Sequence, residues 1–339
     1  MQMAIRTRDL RKVYTGPPPT TTLSPFAGGL KARLLDKLSK RGPTIALDGL
    51  TLDVEPGQIF GLLGPNGAGK TTTVGILTTR VRPTSGEAWV GDYEVWRQQV
   101  KAKRLIGVVP QRPNLDFALT AREILLFHAA YFGVPAAERQ RRADMLLDRF
   151  QLTDRANDMV VGFSGGMMQR LSIARAMMHD PELLFLDEPS AGLDPQTRLL
   201  LWEIIREYQA RAKTILITTH NMEEADALCD NIAIVDHGKV IALGTPTELK
   251  ASIPGGYLLR VRFNRSAPAV IPRLEALPGV SEVKLDGESA DIFADRGGPL
   301  VPSIVGALSA EGAELIDIHI SAPSLETLFL HHTGRSLRQ

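Results

Sequence analysis

The sequence predicts an α/β domain built around a largely parallel sheet, with a helical insertion, followed by a small α+β domain. Three observations carry that expectation. From Met3 to about Gly244, short apolar runs ending in polar residues alternate with helical patterns, as strands buried on both faces do. Between Thr120 and Asp158 apolar residues recur at spacings of three and four, so helices interrupt the alternation. After Gly255 a new cycle reads strand, helix, strand, strand, helix, strand, the order of a ferredoxin-like sandwich.

Each element follows from its own residues. "QIFGLLG", "LIGVVPQ", "ELLFLDE" and "TILITTH" are short strands, β-rich or continuously apolar and each ending in a polar residue, whose carboxyl ends form the ligand crevice of an α/β sheet. "AREILLFHAAYFG" and "AERQRRADMLLDRFQL" supply the inserted helices. "NIAIVDHGKVIALG" reads as two strands around an Asp-His-Gly turn, an antiparallel hairpin. "TPTELKASI" is a short helix. In the tail, "YLLRVRF", "SEVKLD", "ADIFAD" and "ELIDIHIS" are strands, and "APAVIPRLEAL", "LVPSIVGALSAEG" and "SLETLFLHHTG" are helices. The expected division is 1–253 and 254–339, with an insertion at 15–43 and a helical subdomain at about 112–180.

Composition narrows the function classes. A chain of 339 residues with 44% hydrophobic and 23% charged residues is long and apolar enough for two folded domains. The formal charge of +1 gives no global attraction to nucleic acid or to an anionic membrane, and no nucleic-acid partner is expected. Cys229 is the single cysteine, so it forms no intramolecular disulfide and reads as a buried thiol. No stretch reaches the roughly 20 apolar residues that span a bilayer, and the N-terminus lacks a signal peptide's apolar core. A soluble chain is expected, with any membrane work done through another subunit.

"GPNGAGKTT" is the clearest chemical signal. Gly64, Pro65, Asn66, Gly67, Ala68, Gly69, Lys70, Thr71 and Thr72 fit G-x-x-x-x-G-K-[ST] between a strand and a helix, the context this pattern requires. The glycines let backbone N–H groups face phosphates at a helix N-terminus, Lys70 reaches the β- and γ-phosphates, and the Thr71 hydroxyl takes Mg²⁺. "ELLFLDEP" puts Asp187 and Glu188 at a strand end, one to hold the Mg²⁺ shell and the other to polarise the attacking water. A second phosphate-facing cap, Ser164, Gly165 and Gly166 in "FSGGMMQR", is surplus in one chain and makes sense if it closes on ATP held by another copy.

With Gln111 after "IGVVP", Asp194 in "SAGLD" and His220 after "TILITT", these motifs stand in the order of an ATP-binding cassette (ABC) transporter ATPase, which residues 3 to about 244 resemble. Phe163 stands where leucine is commonest and Met168 where a polar residue is usual, and neither alters the phosphate-contacting positions. The resemblance implies ATP and Mg²⁺ as cofactors and a head-to-tail homodimer that sandwiches two ATP molecules. It further implies that Glu188 and His220 orient water, that Gln111 joins the Mg²⁺ region to the permease groove, and that Asp194 links the two sites. Asp194 also reads as a helix N-cap before Pro195. An aromatic near the end of the first strand commonly stacks on adenine in this family, and Tyr14 occupies that place.

"MAIRTRDLRKVY", "THNMEEAD" and "PSLETLFLHHTGRSLR" are similar to ABC-2 exporter ATPases of the daunorubicin-resistance type. That resemblance implies export through a separate six-helix permease at the cytoplasmic face of the membrane, with the tail as an accessory domain. Alternatives are a non-transport ABC-type ATPase, or an ATPase whose tail senses a small molecule. A chromosome-organising ATPase would show long coiled coils and a ribosome-acting one two cassettes, and neither is visible. The tract "TGPPPTTTLSPFAGGLKARLLDKLSKRGP" is expected to dock the permease or gate the adenine site.

Overall fold

The computed structural model describes residues 3–15, 42–265 and 268–334. Most of the tract at 15–43 lies outside the described residues. The chain divides into two compact units, Met1–Ile241 and Ala242–Gln339.

In the first unit the strands are β1 (Ile5–Tyr14), β2 (Thr44–Val54), β3 (Ile59–Leu63), β4 (Ser85–Val90), β5 (Tyr93–Glu94), β6 (Ile106–Val109), β7 (Leu183–Asp187), β8 (Thr214–Thr219), β9 (Asn231–Asp236) and β10 (Lys239–Gly244), the last running across the division. They form two sheets. The larger has the order β10-β9-β3-β8-β7-β6, with β3 parallel to β8 and β9, and β7 parallel to β6 and β8. Every residue of β3, β7 and β8 is buried, which is why these segments are short, β-rich and mostly apolar. The β9–β10 turn has His237 at φ 46° and Gly238 at φ 74°, the paired positive values of the expected tight hairpin.

A smaller antiparallel sheet, β2-β1-β4-β5, stands apart from the parallel one. The alternation of "IRTRDLRKVY" explains it: Ile5, Thr7 and Leu10 are buried while Arg6, Asp9 and Arg11 are exposed, so β1 has one covered and one wet face. Phe60 and Leu62 of β3 share a core with Leu10, Leu50 and Val90 of this sheet.

Among the described residues the helices of this unit are α1 (Lys70–Leu77), α2 (Gln99–Leu105), α3 (Ala121–Tyr131), α4 (Ala136–Arg149), α5 (Gly165–Met177), α6 (Pro195–Gln209) and α7 (Met222–Leu228). The expected helical insertion is α3, α4 and α5, with α3 packed on both others. A capping box starts α3: the Glu123 N–H donates to Thr120 Oγ1 at 3.3 Å while the Thr120 N–H donates to Glu123 Oε2 at 2.8 Å.

The second unit holds α8 (Pro246–Ala251), β11 (Tyr257–Phe263), α9 (Ile271–Glu275), β12 (Val280–Asp286), β13 (Ser289–Ala294), α10 (Val301–Ala310), β14 (Leu315–Ser321) and α11 (Leu325–Thr333). Its sheet, β12-β13-β11-β14, is antiparallel throughout and carries the β-α-β-β-α-β order. Leu259, Val261 and Ile292 pack with Ile304 and Leu308 of α10 on one face. On the other face His331 of α11 meets Phe293 edge-on, ring centroids 5.0 Å apart. This unit starts ahead of residue 254 because α8 packs on α11. The helix read in "APAVIPRLEAL" is reduced to a turn at Pro268–Val270 and the five residues of α9.

Candidate functional site

The loop from Gly64 to Gly69 joins β3 to α1 in the path the sequence implies. Gly69 precedes α1 at φ 108°, a conformation L side chains rarely adopt, and Gly64 lies so close to the Val235 carbonyl that a Cβ would collide with it. Lys70 opens α1 and folds back over the loop. Its ammonium donates to the Gly64 carbonyl at 2.6 Å and the Pro65 carbonyl at 3.2 Å, and pairs with Glu188 Oε1 at 3.4 Å. Both side chains of that pair are 5% exposed. Burial pulls the Lys70 ammonium below its usual value, and the Glu188 and Asp187 charges oppose the shift.

β7 delivers Asp187 and the residue after it, Glu188. Asp187 Oδ1 accepts from Thr218 Oγ1 at 2.5 Å and from Thr71 Oγ1 at 3.3 Å. Burial pushes the Asp187 carboxyl above its usual value, and those two hydroxyls act against it. Glu188 sits at φ 53°, left-handed backbone for a residue with a side chain, held there by its N–H donating to the carbonyl of Thr218 at 3.0 Å and to Thr218 Oγ1 at 3.1 Å. The His220 ring completes the cluster: Nδ1–H donates to Glu188 Oε2 at 2.7 Å. Glu188 is thus gripped by an ammonium on one oxygen and an imidazole on the other.

Tyr14 ends β1 with its hydroxyl 3.5 Å from Thr72 Oγ1 in the first turn of α1, and Lys12 Nζ lies 4.9 Å from its ring centroid. The structure therefore brings Tyr14, Gly64 to Thr72, Asp187, Glu188 and His220 together. The other candidates stand elsewhere. Ser164 caps α5, accepting from the Met167 N–H at 3.3 Å, and Gly165 is exposed beside it. Among the described residues no hydrogen bond joins Ser164, Gly165 or Gly166 to the 64–72 loop. Asp194 caps α6, accepting from the Thr197 N–H at 3.0 Å, which holds its carboxyl below the usual range. Gln111 is exposed, two residues past β6.

Sequence reasoning missed two residues. Thr218 binds both Asp187 and Glu188, and its only signal was one hydroxyl among the three buried threonines of "TILITT". Glu224 on α7 is completely buried, accepts from Trp202 Nε1 at 3.4 Å, and has its carboxyl raised by burial.

A family model described as "ABC transporter" matches residues 47–191, and a second, for an AAA domain, matches 162–226. The linearmycin resistance ATP-binding protein LnrL of Bacillus subtilis (strain 168) is 38% identical over 299 residues, 88% of this chain and 96% of the relative. The Nod factor export ATP-binding protein I of Ralstonia nicotianae is 38% identical over 326 residues, 96% of this chain and 99% of the relative. A solved dimer of the ATP-binding cassette MJ0796, in a post-hydrolysis state bound to ADP and Pi, superposes with a TM-score of 0.59 at 24% identity, covering 71% of this chain and 98% of its own.

Proposed function

Because this chain belongs to the ABC transporter family of ATP-binding proteins and is an ATP hydrolase, we propose that it powers an ABC-2 type exporter as a head-to-tail homodimer beneath a separate permease, at the cytoplasmic face of the membrane. The observation that carries the reading is the grip of Lys70 and His220 on the buried Glu188, beside Asp187 and Thr71. Two relatives named for linearmycin resistance and for Nod factor export support the export direction. The dimeric cassette bound to ADP and Pi supports the paired arrangement.

Hydrolysis then follows from what these side chains can release and receive. Lys70 leaves the Gly64 and Pro65 carbonyls for the β- and γ-phosphate oxygens, which are stronger acceptors. Its departure removes the cation from Glu188 and leaves that carboxylate with His220. Water attacks the γ-phosphorus in line, the bond from phosphorus to the bridging oxygen breaks with its electron pair leaving on ADP, and Glu188 takes the water proton. His220 orients the γ-phosphate, and Tyr14 stacks on adenine. Thr71 and Asp187 suit Mg²⁺: their oxygens are 3.3 Å apart, near the roughly 3 Å between adjacent corners of an octahedron with bonds of about 2.0–2.1 Å. With Gln111, they would hold the ion, which neutralises phosphate charge when bound. Ser164, Gly165 and Gly166 of a second copy close the site through a helix N-terminus, and Asp194 lies at that junction.

The permease docks where α2, α3 and the end of α5 border a groove of about 630 Å³, lined in part by Val100, Lys103, Arg104, Tyr131 and Phe132. Val100 is 67% and Tyr131 86% exposed, apolar surface that a partner helix would cover. Reconstituted with its permease in vesicles, the chain is expected to show permease-stimulated hydrolysis and ATP-driven efflux. Tyr131→Glu should abolish the stimulation while the isolated chain keeps its ATPase rate; equal loss of both would count against docking at this groove.

A further inference from the structure

Glu224 carries a buried carboxyl that the hydrolytic step does not use. Its surroundings come from three segments. Oε1 accepts from Trp202 Nε1 of α6 at 3.4 Å, and the hydroxyls of Ser190, two residues past Glu188, and of Thr219, one before His220, face the same carboxyl. Glu224 is fully enclosed and has no ion pair among the described residues, and its Oε2 completes no hydrogen bond there. A carboxyl without a cation in such a place favours its neutral acid form. Burial raises it accordingly, the two hydroxyls and the indole oppose the rise, and the Glu188 charge adds to it.

The turn that bears His220 depends on α7. Thr219 Oγ1 accepts from the Asn221 N–H at 2.9 Å, and Asn221 Oδ1 accepts from the N–H groups of Glu223 at 2.9 Å and Glu224 at 3.2 Å. His220 therefore sits between a strand end and a helix cap. With seven residues, α7 is too short to keep its place unaided. Its polar contacts with α6 among the described residues are the Arg206 guanidinium on the Ala227 carbonyl, Arg198 with Glu223 at 3.7 Å, and Trp202 with Glu224. Glu223 is largely exposed, so its ion pair contributes little, and Glu224 alone works from inside.

We propose that Glu224 is a positioning residue for ATP hydrolysis: its carboxyl braces α7 against Trp202 and the Ser190 segment, and so holds the His220 ring at Glu188. His220 Nδ1 and Glu188 Oε2 meet at 2.7 Å. Each of these side chains stands on a segment whose hydroxyl faces Glu224, and one carboxyl thus spans both. The Ser190 side is the fixed one, because the buried Gln169 of α5 donates through Nε2 to the Pro189 carbonyl at 3.1 Å. The free Oε2 takes up a hydroxyl as the site closes, which draws the His220 turn toward Glu188. A reacting group misplaced by about 1 Å can cost roughly a hundredfold in rate, so the brace acts on turnover rather than on ATP binding. The inference rests on Glu188 and His220 acting as proposed above.

The test is steady-state ATP hydrolysis by the full-length protein, with urea unfolding of the same samples. Glu224→Met keeps the shape of the side chain and removes its hydrogen bonds, whereas Glu224→Gln keeps both the shape and the bonding of a neutral acid. The methionine variant should lose about tenfold or more in kcat with KM for ATP within about twofold, and glutamine should recover most of that loss. The urea midpoint of the methionine variant should stay level or rise, because an apolar isostere removes a buried polar atom without a partner, whereas a merely structural role would lower it. His220→Ala should abolish most hydrolysis, and Glu224→Met added to it should cost little more, since its effect passes through His220. A methionine variant with wild-type kcat, a glutamine variant no better than methionine, or a full further loss on top of His220→Ala would each overturn the proposal while the site reading stands. Wild-type hydrolysis by His220→Ala alone would instead overturn the site reading, and this inference with it.

Discussion

Thr218 fastens both acidic residues of the site with one hydroxyl, donating to Asp187 and accepting from the Glu188 N–H. A hydrogen bond to a charged group contributes about 1.5–3 kcal/mol. Thr218→Val keeps the shape and removes both bonds, so it should raise the Mg²⁺ concentration needed for half-maximal hydrolysis and lower kcat, whereas Thr218→Ser should restore both. A valine variant with unchanged Mg²⁺ dependence would show that the hydroxyl positions nothing. At this scale the sequence was readable wherever a function sits in one continuous stretch. Gly64 to Thr72 and the Asp187–Glu188 pair are local patterns whose strand ends could be placed. The grip on Glu188 was not readable, because Lys70 reaches it from the loop after β3 and Thr218 and His220 from the end of β8, and only strand order makes both neighbours of β7.

At the scale of elements, α3 carries a pH response. His128 stands in an aromatic cluster with Phe132 and His179, the last two stacked with centroids 3.8 Å apart. Burial, with His179 and Arg175 adding positive charge, lowers His128 to about 4, and burial lowers His179 as well. The unfolded chain takes up the same proton near 6.5. Between those values the unfolded state binds more protons, so stability present above pH 6.5 is lost as pH falls toward 4. Urea midpoints of the wild type should therefore drop from pH 7 to pH 5, and His128→Gln should flatten that drop; parallel slopes would remove His128 as the cause. The helices themselves were legible, since Thr120 and Glu123 announce a capping box and apolar residues follow at helical spacing. The separate sheet of β1, β2, β4 and β5 was not resolved from the parallel one: alternation in "IRTRDLRKVY" shows a half-covered strand but not which strands flank it.

At the scale of the molecule, the chain carries one phosphate loop and, on α5, one further cap that makes no hydrogen bond to it among the described residues. In the proposed head-to-tail arrangement two copies would complete two sites with those parts, and ATP itself would be the link between protomers. Fold class and cassette order were legible because each motif sits at the end of a strand or the start of a helix. The direct measurement is sedimentation of the Glu188→Gln variant with Mg²⁺ and ATP. Hydrolysis should fall by about 10² to 10⁴ while ATP still binds. The mass should double on adding Mg²⁺ and ATP, and return to that of one chain when Ser164→Arg is added. A variant that binds ATP and stays monomeric, or one whose dimer ignores Ser164→Arg, would contradict a site shared between two copies.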